Sequence, residues 1–194
     1  MRQSPTPTDK MTADEFLVWS RGLADGERYE LLDGTLLRMQ AENAGHAITK
    51  TNVALSFRDA LRRAGRTGCR SIADGFSIRV SDDQVREPDA MINCAPMARD
   101  DLYASCPVVV VEVLSPSTRR IDLHRKLIDY FQVPSIQHYL IVMASDRRVL
   151  LHSRSSVEGE IRTRILGEET TIALDPPGIS LAIAEFFNDL PDEG

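Results

Sequence analysis

Asp89, Glu112 and Lys126 are the residues of this chain whose types and surroundings point to chemistry. Asp89 lies in Arg86-Glu87-Pro88-Asp89-Ala90-Met91-Ile92 and Glu112 in Val108-Val109-Val110-Val111-Glu112-Val113-Leu114, and both segments read as β-strands. An ionised acid inside so apolar a run costs several kcal/mol, on the order of an unpaired buried charge, unless a cation or hydrogen-bond donors meet it. Adjacent strands lie about 4.8 Å apart, so two carboxylates pointing to one side can close on one Mg²⁺ at oxygen distances of roughly 2.0 to 2.1 Å. Such an ion lowers the pKa of a bound water and offsets charge developing on a phosphoryl group. Asp89 alone, after Pro88, also fits a solvated turn. Lys126 lies three residues after Leu123 and four before Tyr130, beside the apolar stripe of a helix rather than opposite it. It reads either as an inward amine that orients water or stabilises a phosphorane-like state, or as an exposed partner of Asp122 worth only about 0.3 to 0.5 kcal/mol.

The elements that must position these residues can be read around them. Thr12 and Glu15 have the spacing of a capping box, with Phe16, Leu17 and Trp19 as the apolar side of a short helix. Asp33-Gly34 between two apolar runs, Tyr29 to Met39, predicts a β-hairpin. From about Asn43 to Ala64, Ile48, Val53, Leu55, Phe57, Ala60 and Leu61 recur at helical spacing, and Gly65 stands where a cap is expected. Arg70 to Ala73, Gly75 to Val80 and Val85 to Asn93 read as strands, with a polar turn at Ser81 to Gln84. Pro107 opens the valine run typical of a central strand covered on both faces, and Ser115-Pro116-Ser117 stops it. A helix from roughly Arg120 to Gln132 and a strand from His138 to Met143 then give a strand-helix-strand unit. Strands near Val149 to His152 and Ile161 to Leu166 and a short helix near Ala182 to Asn188 follow.

The 194 residues fit one domain, read as 12–190 after a flexible tail at 1–11. Composition, with 42% hydrophobic and 27% charged residues, is that of a globular chain, and no segment has the roughly 20 apolar residues of a membrane span or the pattern of a signal peptide. A cytoplasmic location is the expectation. Cys69, Cys94 and Cys106 lack the spacing of a zinc site or disulfide framework and are expected to be reduced and structural. With 23 basic against 29 acidic residues the net charge of −6 disfavours nonspecific polyanion binding by the whole molecule. Local basic clusters are nevertheless present: Arg58, Arg62, Arg63, Arg66 and Arg70 along the long helix and its exit, and Arg119, Arg120 and Arg125 around the next one. Arg62, Arg66 and Arg120 are the candidate nucleic-acid contacts, although solvation of helix faces is the better reading of any single arginine.

Tyr29-Glu30-Leu31-Leu32-Asp33-Gly34, His46, Pro88-Asp89, Val111-Glu112-Val113-Leu114-Ser115-Pro116-Ser117-Thr118, Asp122, Lys126, Tyr130 and Tyr139-Leu140-Ile141-Val142 occur in that order. Their succession resembles the Uma-type restriction endonuclease family of the PD-(D/E)xK superfamily. The resemblance implies an α/β (α+β), restriction-endonuclease-like fold with a central mixed sheet flanked by helices. It implies Asp89, Glu112 and the Val113 carbonyl as ligands of Mg²⁺ (or Mn²⁺), Lys126 as catalytic lysine, DNA as substrate and a homodimer. The superfamily's lysine two residues after the glutamate is replaced here by Leu114, so its task falls to Lys126 on the helix. Glu30 and His46 match further family positions. Glu30 reads as an additional ligand or an exposed strand carboxylate, and His46 as a phosphate or water contact or a polar residue at a helix start. The expected activity is Mg²⁺-dependent hydrolysis of DNA; a nuclease-fold binding module without turnover and a hydrolase of another phosphoester are the alternatives.

Overall fold

The computed structural model describes residues 10–24, 26–114 and 121–191. Ser115 to Arg120, including Arg119 and the candidate DNA contact Arg120, lie outside the described residues, as does most of the expected tail.

Local signals set the first elements. Thr12 and Glu15 form the capping box of α1 (Ala13–Ser20), whose buried Ala13, Phe16 and Leu17 pack on Leu31 and Val85. Strands β1 (Tyr29–Leu32) and β2 (Thr35–Arg38) pair through a turn in which Asp33 and Gly34 both have positive φ, 50° and 74°. That combination twists with the strands. Helix α2 (Ala44–Arg63) starts at an Asn43 cap, whose side chain accepts from the His46 N–H, and ends before Gly65 at φ 66°. Then come β3 (Arg70–Ala73), β4 (Ile78–Ser81), β5 (Gln84–Arg86), β6 (Ala90–Asn93) and the long β7 (Pro107–Leu114).

The expected single strand from Val85 to Asn93 is two strands in two sheets. Pro88 has no N–H to give a ladder, and at Glu87-Pro88-Asp89 the chain leaves one sheet for the other. Sheet β2-β1-β5-β4 carries the hairpin. The larger sheet is ordered β10-β9-β8-β7-β6-β3, completed by β8 (His138–Met143), β9 (Arg148–Arg154) and β10 (Ile161–Gly167). Strand β4 also begins later than the expected Gly75, at Ile78. Within the larger sheet β7 and β8 are parallel, joined through α3 (Ile121–Gln132), and the other pairs are antiparallel.

Strand β7 is covered on both faces. Val109, Val111 and Val113 pack with Val53, Phe57 and Leu61 of α2, whereas Val110 packs with Tyr130 of α3 and Tyr139 of β8. A further hairpin absent from the sequence reading, β11 (Thr171–Leu174) and β12 (Ile179–Ala182), and a 3-10 helix (Ile183–Phe187) close the α2 side.

One expectation about the cysteines is overturned: Cys69 and Cys94 form a disulfide, and Cys106 alone is a thiol. The cause is register. Arg70 pairs with Asn93, which brings Cys69 and Cys94, one residue further along each strand, side by side.

Candidate metal centre

The β6-β7 ladder sets Ala90 opposite Val111, and continuing that register by one residue sets Asp89 opposite Glu112. Directly opposed residues point to the same face with Cβ atoms about 4.5 to 5.5 Å apart. Both carboxylates are buried, Asp89 at 5% exposure and Glu112 at 7%. They share the face on which α3 packs, because Tyr130 donates its hydroxyl to Glu112 Oε1 at 2.5 Å. Lys126, one turn earlier on α3, places Nζ 3.0 Å from the same oxygen and 3.8 Å from Glu30 Oε1. Its amine therefore points inward, at 9% exposure.

From the opposite side comes the first turn of α2. His46 Nε2 is 2.9 Å from the Val113 carbonyl and 3.3 Å from Asp89 Oδ2, and the Val113 N–H donates to that carboxylate oxygen at 2.6 Å. His46 Nδ1 stands 3.2 Å from Glu42 Oε2. Glu42, His46 and Asp89 bring one ligand atom each to within 4.8 Å of one another.

Glu30 is no exposed strand carboxylate: it is buried at 2%, accepts from Arg86 Nη1 at 2.7 Å and from the Glu87 N–H at 3.0 Å. Arg86, with no exposure at all, also donates from Nε and Nη2 to Asp129 Oδ2 at 2.9 and 2.6 Å. Glu30, Arg86 and Asp129 thus tie the hairpin sheet to α3.

The electrostatics divide the two acids. Burial raises the Asp89 carboxyl, but the hydrogen bond and charge of His46, the Val113 N–H and Lys126 together hold it below its ordinary value. Burial pushes Glu112 up to about 7 against the pull of Lys126, with Asp89 and Glu30 adding to the rise and the Tyr130 hydroxyl opposing it. Burial lowers His46, yet Asp89 and Glu42 outweigh it and leave its pKa raised.

The donor set fits a divalent ion. Six ligands at about 2.1 Å put neighbouring donor atoms about 3.0 Å apart; His46 Nε2 lies 2.9 and 3.3 Å from Val113 O and Asp89 Oδ2, hydrogen-bond contacts in the metal-free protein that an ion could replace with little movement of the three donors. Glu112 is a buried acid whose charge such an ion would compensate.

The structure thus gathers Asp89, Glu112, Val113, Lys126, Glu30 and His46 in one place. It does not bring Arg62 and Arg66 there. His46 is in the first turn of α2 and Arg62 in the last, about 24 Å apart at 1.5 Å per residue. Arg66 Nε donates instead to the Gly178 carbonyl at 3.3 Å. Sequence reasoning missed Glu42 and Arg86. A charged residue in the strand-like Gln84-Val85-Arg86 raises the same question as Glu112, and Glu42 lies one turn before His46, so both signals were present.

A mixed sheet clasped between two helices, with acids at the β6-β7 step and a lysine on the following helix, defines a restriction-endonuclease-like protein. The chain matches the Uma2 family, described as "Putative restriction endonuclease", over residues 13–184, and it belongs to that family. It is 25% identical over 186 residues, 95% of each chain, to the uncharacterized protein slr1290 of Synechocystis sp.. The fold is similar to the crystal structure of a putative nuclease belonging to DUF820 from Anabaena variabilis, with a TM-score of 0.71 at 14% identity, covering 93% of this chain and 99% of that one.

Proposed function

We propose that this protein is an endonuclease that hydrolyses DNA phosphodiester bonds with Mg²⁺ or Mn²⁺. The observation that supports this most is the convergence of Asp89 Oδ2, the Val113 carbonyl and His46 Nε2 at ligand spacing, with Lys126 anchored on Glu112 beside them. Asp89, Glu112, Val113 and His46 would hold the ion. When bound, the ion supplies an activated water and neutralises charge on the phosphoryl group. Asp89, which still accepts from the Val113 N–H, offers a full negative charge to it. Glu112 both binds and fixes the Lys126 amine, which would meet the attacking water and the phosphorane-like charge. Glu30 acts from behind by holding Arg86 and, at longer range, Lys126. The family resemblance supports a homodimer, and a cytoplasmic location remains part of the proposal; no helix among the described residues is long and apolar enough to cross a membrane.

An open cleft of about 680 Å³, lined by Arg28, Arg38, Glu42, Lys50 and Asp74 among others, adjoins the His46 end. An open cleft suits a polymer better than the closed pocket a small phosphoester would need. One contact favours a second reading, a module without turnover: Lys126 already compensates Glu112. Incubation of purified protein with plasmid and linear DNA plus Mg²⁺ or Mn²⁺ decides between them. Cleavage is expected, with Asp89→Ala and Glu112→Ala inactive and Lys126→Met at least about 10²-fold slower while still binding metal. Cleavage undiminished in the two carboxylate variants would refute the assignment, and calorimetry showing no divalent-ion binding would select the second reading.

A further inference from the structure

Glu42, in the loop before α2, has no part in the mechanism above, yet two cationic side chains and a histidine surround its carboxylate. Arg28 Nη1 is 3.4 Å from Oε1, His46 Nδ1 is 3.2 Å from Oε2, and Lys50 Nζ makes a closer contact with Oε2. Arg28 and Lys50 are in turn anchored on Asp74, and Arg28 Nε donates to Glu87 Oε1 at 2.6 Å. The neighbouring His46 has a side chain 10% exposed, and Nδ1 is buried with no aligned hydrogen bond of its own.

We propose that Glu42 is a positioning residue of the metal centre: gripped by Arg28 and Lys50, it accepts the Nδ1 proton of His46 when a divalent ion displaces the Nε2 proton that faces Asp89 and the Val113 carbonyl in the metal-free protein, and so commits Nε2 to the ion. This rests on the metal-dependent reading above and adds to it the group that selects the tautomer of the ligand. Histidines that bind metals donate their other ring N–H to a carboxylate, carbonyl or water, which fixes the ring and raises its basicity, and loss of that partner weakens metal binding about 10- to 100-fold. The competing roles for Glu42 are to order the loop through its ion pairs with Arg28 and Lys50, or to ligate the ion itself, since its carboxylate belongs to the same cluster as His46 and Asp89. The roles separate because only the proposed one depends on His46 being present.

The test uses the full chain and Mn²⁺ alone. Calorimetry is expected to show Mn²⁺ affinity falling about 10- to 100-fold in Glu42→Ala and largely kept in Glu42→Gln, whose amide oxygen can still accept from Nδ1. On a His46→Gln background the Glu42→Ala change should have no further effect. Pulsed electron paramagnetic resonance should detect ¹⁴N coupling to Mn²⁺ in the wild type, absent in His46→Gln. Native affinity in Glu42→Ala, no recovery in Glu42→Gln, or an undiminished loss on the His46→Gln background would overturn the assignment while leaving the metal-dependent reading intact. Absence of Mn²⁺ binding, or of ¹⁴N coupling, in the wild type would overturn both. Glu42→Gln also serves where Glu42→Ala fails to fold.

Discussion

Glu112 sits where the valine run predicted a conflict, and the structure shows what meets it: a lysine amine and a tyrosine hydroxyl. The compensation is incomplete, since burial still raises the carboxyl from 4.5 to about 7. The sign of the consequence is fixed by proton binding. Below about pH 4.5 the group is protonated whether the chain is folded or not, and folding incurs no penalty. Between about 4.5 and 7 the unfolded chain ionises first, so stability falls as pH rises; above about 7 the loss is complete, on the order of 3 kcal/mol. The raised pKa of His46 acts in the same direction, so the wild type alone cannot isolate the carboxylate. Comparison with Glu112→Gln does: in urea titrations without divalent ions, going from pH 5 to pH 8 should cost the wild type on the order of 3 kcal/mol more than the variant. Mn²⁺ should return most of that difference to the wild type only. Parallel pH profiles for the two proteins would mean that Lys126 neutralises Glu112 fully. Glu112 was legible because its environment lies within its own strand; Glu30 was not, because its burial and its Arg86 partner come from elements far along the chain.

The elements most legible from sequence were those fixed by neighbouring residues: the α1 capping box, the Asp33-Gly34 turn, the α2 stripe and the valine strand β7. Where tertiary pairing decides, reading failed. The split of Val85 to Asn93 between two sheets depends on partners at β1 and β7, although Pro88 marked the place. Likewise β11 and β12, each only four residues long, form by pairing with each other across Asp175-Pro176-Pro177-Gly178 and packing under α2. At the seam between the two sheets, Arg86 is an element-level tie: β5 reaches β1 through Glu30 and α3 through Asp129, and α3 carries Lys126 and Tyr130. Arg86→Met strands two buried carboxylates and should cost about 3 to 5 kcal/mol. Adding Glu30→Gln and Asp129→Asn should recover a large part of it, because a buried ion triad is destabilising mainly when broken. Urea midpoints of the single and triple variants measure this, and a single variant as stable as the wild type would show that water reaches the two acids. Recovery of stability without recovery of cleavage would identify the triad as the support that aims Lys126.

At the scale of the whole molecule, the Cys69–Cys94 bond staples the outer strand β3 to β6, the strand that Asp89 leads into. Widely spaced cysteines gave no sign of it, because the pairing is set by sheet register, which brings together residues 25 apart. A loop of that length, closed in the unfolded chain, corresponds to about 3 kcal/mol in the chain-entropy account. Oxidised protein should therefore lose about that much stability in reductant, and Cys69→Ser/Cys94→Ser should match it. The proposed metal centre should be spared. Asp89 is held by the Val113 N–H and His46 rather than by the staple, and Cys94 lies five residues further on, about 16 Å along an extended strand. Mn²⁺ affinity and DNA cleavage under native conditions should thus be unchanged in the double variant while its urea midpoint falls. A midpoint that reductant does not move would mean the thiols are reduced in the native protein. A loss of Mn²⁺ affinity in parallel with stability would mean instead that the β3-β6 edge, and not the β6-β7 ladder with α2, sets the position of Asp89.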